Sequence, residues 1–216
     1  MATQVLTIAK PDLVIRRGPG ASMLKGFLER TGCKITAARK MRISEELADK
    51  HYAALRGKSF YPWLIGYVSI YDSFAFIMET DRPVAELRDI LGSTMVEKAK
   101  SDSLRGEYGL ANGMNGIHLS ESEEVAKAEV GLWVSSGALK EGNIDFDADE
   151  YIGRYQNAPD NTRAIHNMLN NTEEKSRALQ EERNGAFYNM LKEEAVDVDN
   201  ETFDKFYAVL IYSLTH

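Results

Sequence analysis

Apolar positions follow two alternating periods up to about residue 133 and a single period beyond it. Val5 to Ala9, Lys34 to Ala38 and Phe74 to Met78 have the length and composition of strands. Between them apolar residues recur every three or four positions. Examples are Met23, Leu24, Phe27 and Leu28, a segment opened by Ser44-Glu-Glu, and Val84, Leu87, Ile90 and Leu91 within 82–91. Arg16-Arg-Gly-Pro-Gly20 reads as a turn, 61–67 as a short helical piece, 95–105 as a polar irregular loop, and 108–110 as a last strand. Ser120 and Glu123 have capping-box spacing and open a helix through Val125, Ala126, Ala128 and Val130. Strands alternating with helices over this stretch predict an α/β sandwich whose strands share one sheet.

After Trp133 the strand signal fades. Thr162 to Lys192 reads as helical, with Ile165, Met168, Leu169, Leu179, Phe187 and Leu191 as its buried positions. Phe203, Phe206, Tyr207, Leu210, Ile211 and Leu214 form an amphipathic stripe, which must cover either the rest of the chain or another subunit. Charge changes at the same place: residues 134–216 hold 8 Lys+Arg and 16 Asp+Glu, leaving 18 and 17 for residues 1–133. The chain thus divides near residue 140 into a nearly neutral part, 1–140, and an acidic, mainly helical part, 141–216.

An acidic surface repels phosphate backbones, so no nucleic-acid partner is expected. No apolar run reaches the roughly 20 residues of a membrane span, and no secretory signal is readable at the N-terminus. One cysteine, Cys33, excludes an intrachain disulfide and argues against a cysteine-based zinc site. The expectation is a cytoplasmic protein without a membrane partner.

Glycines form neither a Walker loop nor a dinucleotide fingerprint, and the four histidines have no zinc spacing. His118 stands just before a helix start, where its neighbourhood alone fits a core residue, a metal ligand or a nucleophile. Polar residues gather at Lys10-Pro-Asp12, at His51-Tyr52 with Lys58 to Phe60, and between Arg88 and His118. Arg88, Thr94, Arg105 and Asn115 together offer the guanidinium forks and hydroxyl that an oligophosphate needs.

Taken in order, Ile8-Ala-Lys-Pro-Asp12, His51-Tyr52 with Phe60 and Leu64, Leu91-Gly-Ser-Thr94, Leu104-Arg-Gly106, Asn115-Gly-Ile-His118, Ser120-Glu-Ser122 and Glu129-Val-Gly-Leu-Trp133 resemble the nucleoside diphosphate kinase family over residues 5–133. The resemblance implies an α+β fold: a ferredoxin-like four-stranded antiparallel sheet with helices on one side, here with a C-terminal α-helical extension. It implies homo-oligomers, hexamers or tetramers, and transfer of the γ-phosphate of ATP or another nucleoside triphosphate to a nucleoside diphosphate.

By the same match His118 is the phosphate-accepting nucleophile, with Glu129 on the ring's other nitrogen and Ser120 in support. Lys10 reaches the transferring phosphate and the sugar hydroxyl, and Tyr52 helps to order the phosphate site. Arg88, Thr94 and Arg105 bind phosphates, Asn115 the ribose 3′-hydroxyl, and Phe60 the base with Leu64 beside it. Stacking on a face common to all bases implies low base selectivity. No metal ligand is expected from the protein; Mg2+ arrives on the nucleotide phosphates. Leu119 stands where the family has glycine, a place from which a branched side chain would crowd the phosphate entrance. Leu13 and Glu121 depart from the family's usual glycine and aspartate. The loop from Met95 to Ser103 lacks the Asn-Pro-Ala and Pro-Gly elements that help to build the hexamer. The rival reading is a nucleotide-binding scaffold or regulator with weak or no turnover, favoured by Leu119 and the extension.

Overall fold

The structure, a computed structural model, describes residues 2–216 other than 182 and 184. Strands β1 (Thr3–Ala9), β2 (Lys34–Arg42), β3 (Asp72–Thr80) and β4 (Ile117–Leu119) form one sheet in the order β2-β3-β1-β4. Every neighbouring pair is antiparallel. Around it lie α1 (Pro11–Ile15), α2 (Arg17–Thr31), α3 (Glu45–His51), α4 (Tyr61–Ser69), α5 (Val84–Leu91), α6 (Leu104–Tyr108) and α7 (Glu123–Ser135). The extension adds α8 (Ala148–Tyr155), α9 (Thr162–Asn170), α10 (Thr172–Gln180), α11 (Ala186–Glu194) and α12 (Asn200–Thr215).

The period-2 alternation of the strands sorts their side chains onto two faces. Val5, Ala9, Phe74, Phe76, Ile117 and Leu119 pack with Met23 and Phe27 of α2, Leu87 of α5 and Ile152 of α8. Leu6, Ile8, Ala75 and Ile77 pack on the opposite face with Leu47 of α3, Tyr67 of α4 and Trp133 of α7. The antiparallel sheet is the one the resemblance implies, and helices cover its second face as well. Because Ile8 pairs with His118, the histidine shares the face of Leu6 and Ile8, under α7.

Several local expectations are corrected. The fourth strand is Ile117–Leu119; Tyr108 ends a helix instead, and Leu110 pairs only with the turn at Met114. Arg17 to Gly20 open α2 rather than a turn, since Pro19 falls in its first turn, where a missing N–H leaves no hydrogen bond unmade. The glycines there serve packing: a Cβ would lie 2.4 Å from the Pro159 carbonyl at Gly18 and 2.2 Å from that of Leu13 at Gly20. The cap of α7 is Ser122, whose hydroxyl accepts from the Val125 N–H, which frees Ser120 for other work. Part of the loop from Met95 to Arg105 is ordered into a 3-10 turn, Val96–Lys98, and the start of α6. The helical stretch 162–192 breaks into α9, α10 and α11, with its residues 182 and 184 outside the described residues.

The extension covers its own chain. Ala38 of the edge strand β2 donates to Asn143 O (3.0 Å) and accepts from Asp145 N (2.8 Å), which pairs the middle of an otherwise open edge. Phe146 then stacks on Phe74, 4.0 Å between centroids. Phe203, Phe206 and Leu210 of α12 are wholly buried in the cluster that holds Tyr67 and Trp133. A buried ion pair joins the two ends of the chain: Arg16 Nε donates to Glu194 Oε2 at 2.5 Å, and both side chains are at most 1% exposed. Among the described residues no helix is long and apolar enough to cross a membrane.

Candidate active site

His118 is the middle residue of β4, and the helix that covers its face carries Glu129 and Trp133 one turn apart, so both reach the same spot. Glu129 Oε2 accepts from His118 Nε2 at 3.1 Å and from the Ser120 hydroxyl at 2.6 Å. A carboxylate only accepts, so Nε2 carries the ring proton and the Nδ1 lone pair has no partner among the described residues. Burial pushes the Glu129 carboxyl up, but the bond from His118, the nearby imidazoles and Ser120 outweigh it, so its pKa lies below the ordinary value. Ser120 is itself held by β1, its oxygen accepting from Leu6 N at 3.2 Å.

Behind this pair stands His51, at the end of α3, whose ring meets that of His118 edge-on at 4.5 Å. Trp133 Nε1 donates to its Nδ1 at 3.3 Å, so the neutral ring carries its proton on Nε2, 3.9 Å from Glu129 Oε1. Burial, with the charge of His118, pushes the His51 pKa down to about 3, and His51 is neutral at physiological pH. His118, Glu129 and His51 form a group compact enough for a metal ion, but the hydrogen bonds among them already account for the geometry of His118 and Glu129.

Three cations surround the strand. Arg105 donates to Gly92 O (2.9 Å) and Ile117 O (2.7 Å), and Arg88 to Leu119 O (3.3 Å), so both are anchored on carbonyls flanking His118. Lys10 follows β1; its backbone N–H donates to Gly116 O, and Nζ donates to Gly113 O at 2.8 Å. Burial pushes Lys10 down to about 8, with Asp12 opposing and Arg105 assisting; burial and then Arg88 push Arg105 down to about 10. Such shifts mark a site short of negative charge, the condition that an incoming phosphate relieves. Asp12 relieves it only in part: its charge raises Lys10 and Arg105 without outweighing their burial, and its oxygens accept from the Tyr67 hydroxyl (2.6 Å) and Gly116 N (2.9 Å). Gly116 has φ +81°, and a Cβ there would meet Met23 Sδ at 2.5 Å, so the turn that delivers His118 requires glycine.

Asn115 donates through Nδ2 to Thr94 O at 2.6 Å, while its buried Oδ1 has no partner among the described residues and can accept from a hydroxyl. The Thr94 side chain is exposed. Tyr52 packs edge-on to His51, and burial first, then Glu129, raise its phenol above the ordinary value, which keeps it a donor. Phe60 stands at the head of α4, 47% exposed, with the half-buried Leu64 one turn later; both are apolar and stand outside the hydrogen-bonded polar group. Leu119 does not crowd the site, since its side chain is 1% exposed and points into the opposite face of the sheet. Asp12, His51, Tyr67 and Trp133 were not among the site residues expected from sequence. Asp12, His51 and Trp133 lie inside matched motifs, whereas Tyr67 carried no signal beyond an aromatic on a short helix.

Residues 3–139 match the sequence model of the nucleoside diphosphate kinase family. A nucleoside diphosphate kinase of Nocardia farcinica is 40% identical over 134 residues, 62% of this chain and 95% of that one. One from Staphylococcus epidermidis is 39% identical over 130 residues, 60% of this chain and 86% of the relative. Among solved structures, a halophilic nucleoside diphosphate kinase of Halobacterium salinarum in complex with CDP superposes with a TM-score of 0.58 at 30% identity, covering 70% of this chain and 99% of that one. The nucleoside diphosphate kinase of Aquifex aeolicus gives 0.56 at 29% identity, covering 61% and 94%.

Proposed function

Because the chain belongs to the nucleoside diphosphate kinase family, and is thereby a phosphotransferase, we propose that it moves a γ-phosphate between nucleotides through a phosphohistidine on His118. The observation that carries this reading is the hydrogen bond of Nε2 to Glu129, which leaves Nδ1 with a free lone pair. That lone pair attacks the γ-phosphorus of a nucleoside triphosphate. The N–P bond forms, the bond to the β–γ bridging oxygen breaks, and its electron pair leaves on the diphosphate. The ring gains positive charge, which the Glu129 carboxylate offsets across the Nε2–H bond, while Ser120 keeps that carboxylate in place. A second diphosphate then attacks the phosphorus in the reverse direction and restores the neutral ring.

Lys10, Arg88 and Arg105 hold the β- and γ-phosphates, with Thr94 and Tyr52 at their margin, and spread the charge of a loose transition state. Asn115 accepts through Oδ1 from the ribose 3′-hydroxyl, and the exposed ring of Phe60 stacks on the base beside Leu64. Stacking supplies little discrimination, so all common bases are substrates. The donor set suits Mg2+ carried on the phosphates: both Asp12 oxygens are engaged, and Glu129 is bound to His118 and Ser120. The ion neutralises phosphate charge when bound; the one candidate ligand group among the described residues, His51, His118 and Glu129, is two-thirds imidazole and does not suit Mg2+.

Residues 1–140 form the kinase unit in this reading and 141–216 an appendage that braces it. A cytoplasmic homo-oligomer, hexamer or tetramer, belongs to the same reading and is carried by the family resemblance alone. The scaffold alternative loses one of its two motives, because Leu119 lies away from the entrance. A coupled assay with ATP as donor and dTDP as acceptor tests the proposal. The wild type should transfer, and His118→Ala should bind nucleotide without transferring; equal rates in the two proteins would overturn it.

A further inference from the structure

We propose that helix α12 positions Lys10 and the loop of Asn115, gripping them through Trp63 and Asn112, so that the extension sets the nucleotide affinity of the site. The inference rests on the proposed function, since it takes Lys10 and Asn115 as nucleotide-binding groups.

Lys10 Nζ is held by two neutral groups: the carbonyl of Gly113, at 2.8 Å, and the ring face of Tyr67, 5.3 Å from its centroid. Trp63 touches both holders. Its indole stacks on Tyr67 at 5.0 Å, nearly parallel, and lies so close to Gly113 that a Cβ there would be 3.7 Å from the ring. The indole in turn is pinned from outside, its Nε1–H donating to Val209 O of α12 at 3.2 Å. A buried ammonium held only by a carbonyl and a π-face depends on the placement of those two groups, because no carboxylate bonds to it directly.

One turn further along the same face of α12, Ser213 O accepts from Asn112 Nδ2 at 2.7 Å, and Ser213 Oγ lies 3.3 Å from the same nitrogen. Ser213 is in the last turn of the helix, where carbonyls lack intrahelical donors, so this bond fills a real vacancy. Asn112 has φ +50°, and its backbone is fixed from the opposite side by Glu97 and Val96. It immediately precedes Gly113 and stands three residues before Asn115. Phe206 and Leu210, both wholly buried, root the helix on the turns that carry these two grips. Covering an apolar face would need only such packing; the two directed hydrogen bonds fall instead on the residues adjoining the Lys10 holders.

A site that must wait for its loop to be in place binds more weakly by the fraction of time it is competent, yet reacts normally once saturated. Two variants of the full chain cut the grips and keep local geometry. Trp63→Phe keeps an aromatic ring and loses the N–H, and Asn112→Gly keeps the positive φ and loses the amide. One hydrogen bond contributes about 0.5–1.5 kcal/mol net, so each variant should raise the Kd for ADP, measured by calorimetry, about two- to tenfold. In the transfer assay KM should rise by the same factor with kcat within about twofold. A Kd within about 1.5-fold of wild type in both variants overturns the proposal, whatever happens to Tm. Calorimetry does not require turnover: a wild type that binds ADP but transfers nothing defeats the functional reading and still judges the grip. A wild type that binds no ADP defeats both.

Discussion

Removing Glu194 should loosen the extension from the kinase unit. Glu194 is fully buried and accepts from Arg16 Nε at 2.5 Å, from Arg16 Nη2 at 3.2 Å and from the Asn161 backbone N–H at 2.5 Å. Burial alone would depress the Arg16 pKa, but Glu194, with Asp160 and Asp12 further off, holds it above the ordinary value. Glu194→Ala therefore leaves a guanidinium at 1% exposure with only Thr162 Oγ1 (2.6 Å) and Tyr108 O (3.1 Å) as hydrogen-bond acceptors. Breaking one partner of a buried pair costs about 3–5 kcal/mol. At about 2–4 °C per kcal/mol for a chain of this size, Tm should fall by about 6–20 °C in a calorimetric scan. Replacing both partners by apolar residues, Arg16→Met with Glu194→Leu, should recover a large part of that loss, since the desolvation of two charges disappears with them. A drop of less than about 2 °C for Glu194→Ala, or a double variant no more stable than the single, would refute the reasoning.

Three further outcomes follow from the site. Glu129→Gln keeps the shape but loses the charge that offsets the phosphorylated ring; a charged hydrogen bond contributes about 1.5–3 kcal/mol, so transfer should slow about 10- to 100-fold in single-turnover kinetics, with ADP affinity nearly unchanged. Burial lowers the Lys10 pKa to about 8 in the free protein, from an ordinary 10.5, so phosphate binding needs a proton that is lost as pH rises. The plot of kcat/KM against pH should bend downward near 8 and the bend should vanish in Lys10→Gln. The sign for stability is the reverse: the unfolded chain binds more protons between about 8 and 10.5, so this lysine makes the unliganded fold gain stability as pH rises through that window. Phe60→Ala removes a stacking surface contributing about 1–3 kcal/mol, so KM should rise at least about fivefold, and by similar factors for purine and pyrimidine diphosphates.

Much of the site could be read from the order of motifs, because residues that touch the phosphates and ring are few and fixed in type. His118 and Glu129 are eleven residues apart, and a short strand followed by a capped helix brings them to 3.1 Å. What the sequence hid was mostly supporting structure. Two serines, Ser120 and Ser122, both stand three residues before a helical position, and only the fold shows that Ser122 caps while Ser120 bonds Glu129. A three-residue strand is too short to display a period, so β4 escaped notice in favour of the neighbouring Tyr108 to Leu110. Glycine and proline at 18–20 suggested a turn, yet a helix passing close to the Pro159 carbonyl needs those same glycines. The stripe on α12 was legible as apolar, but no pattern in one chain says which surface it covers; Val209 O and Ser213 O supply that answer.

The central claim is a phosphate carried on Nδ1 of His118. The purified chain should be mixed with γ-labelled ATP and Mg2+, quenched, and separated from nucleotide. Label that stays on the protein, survives base, is lost in acid, leaves on addition of a nucleoside diphosphate and is missing from His118→Ala is the expected result. Label that persists in His118→Ala, or a wild type that binds nucleotide yet takes up none, would contradict the account.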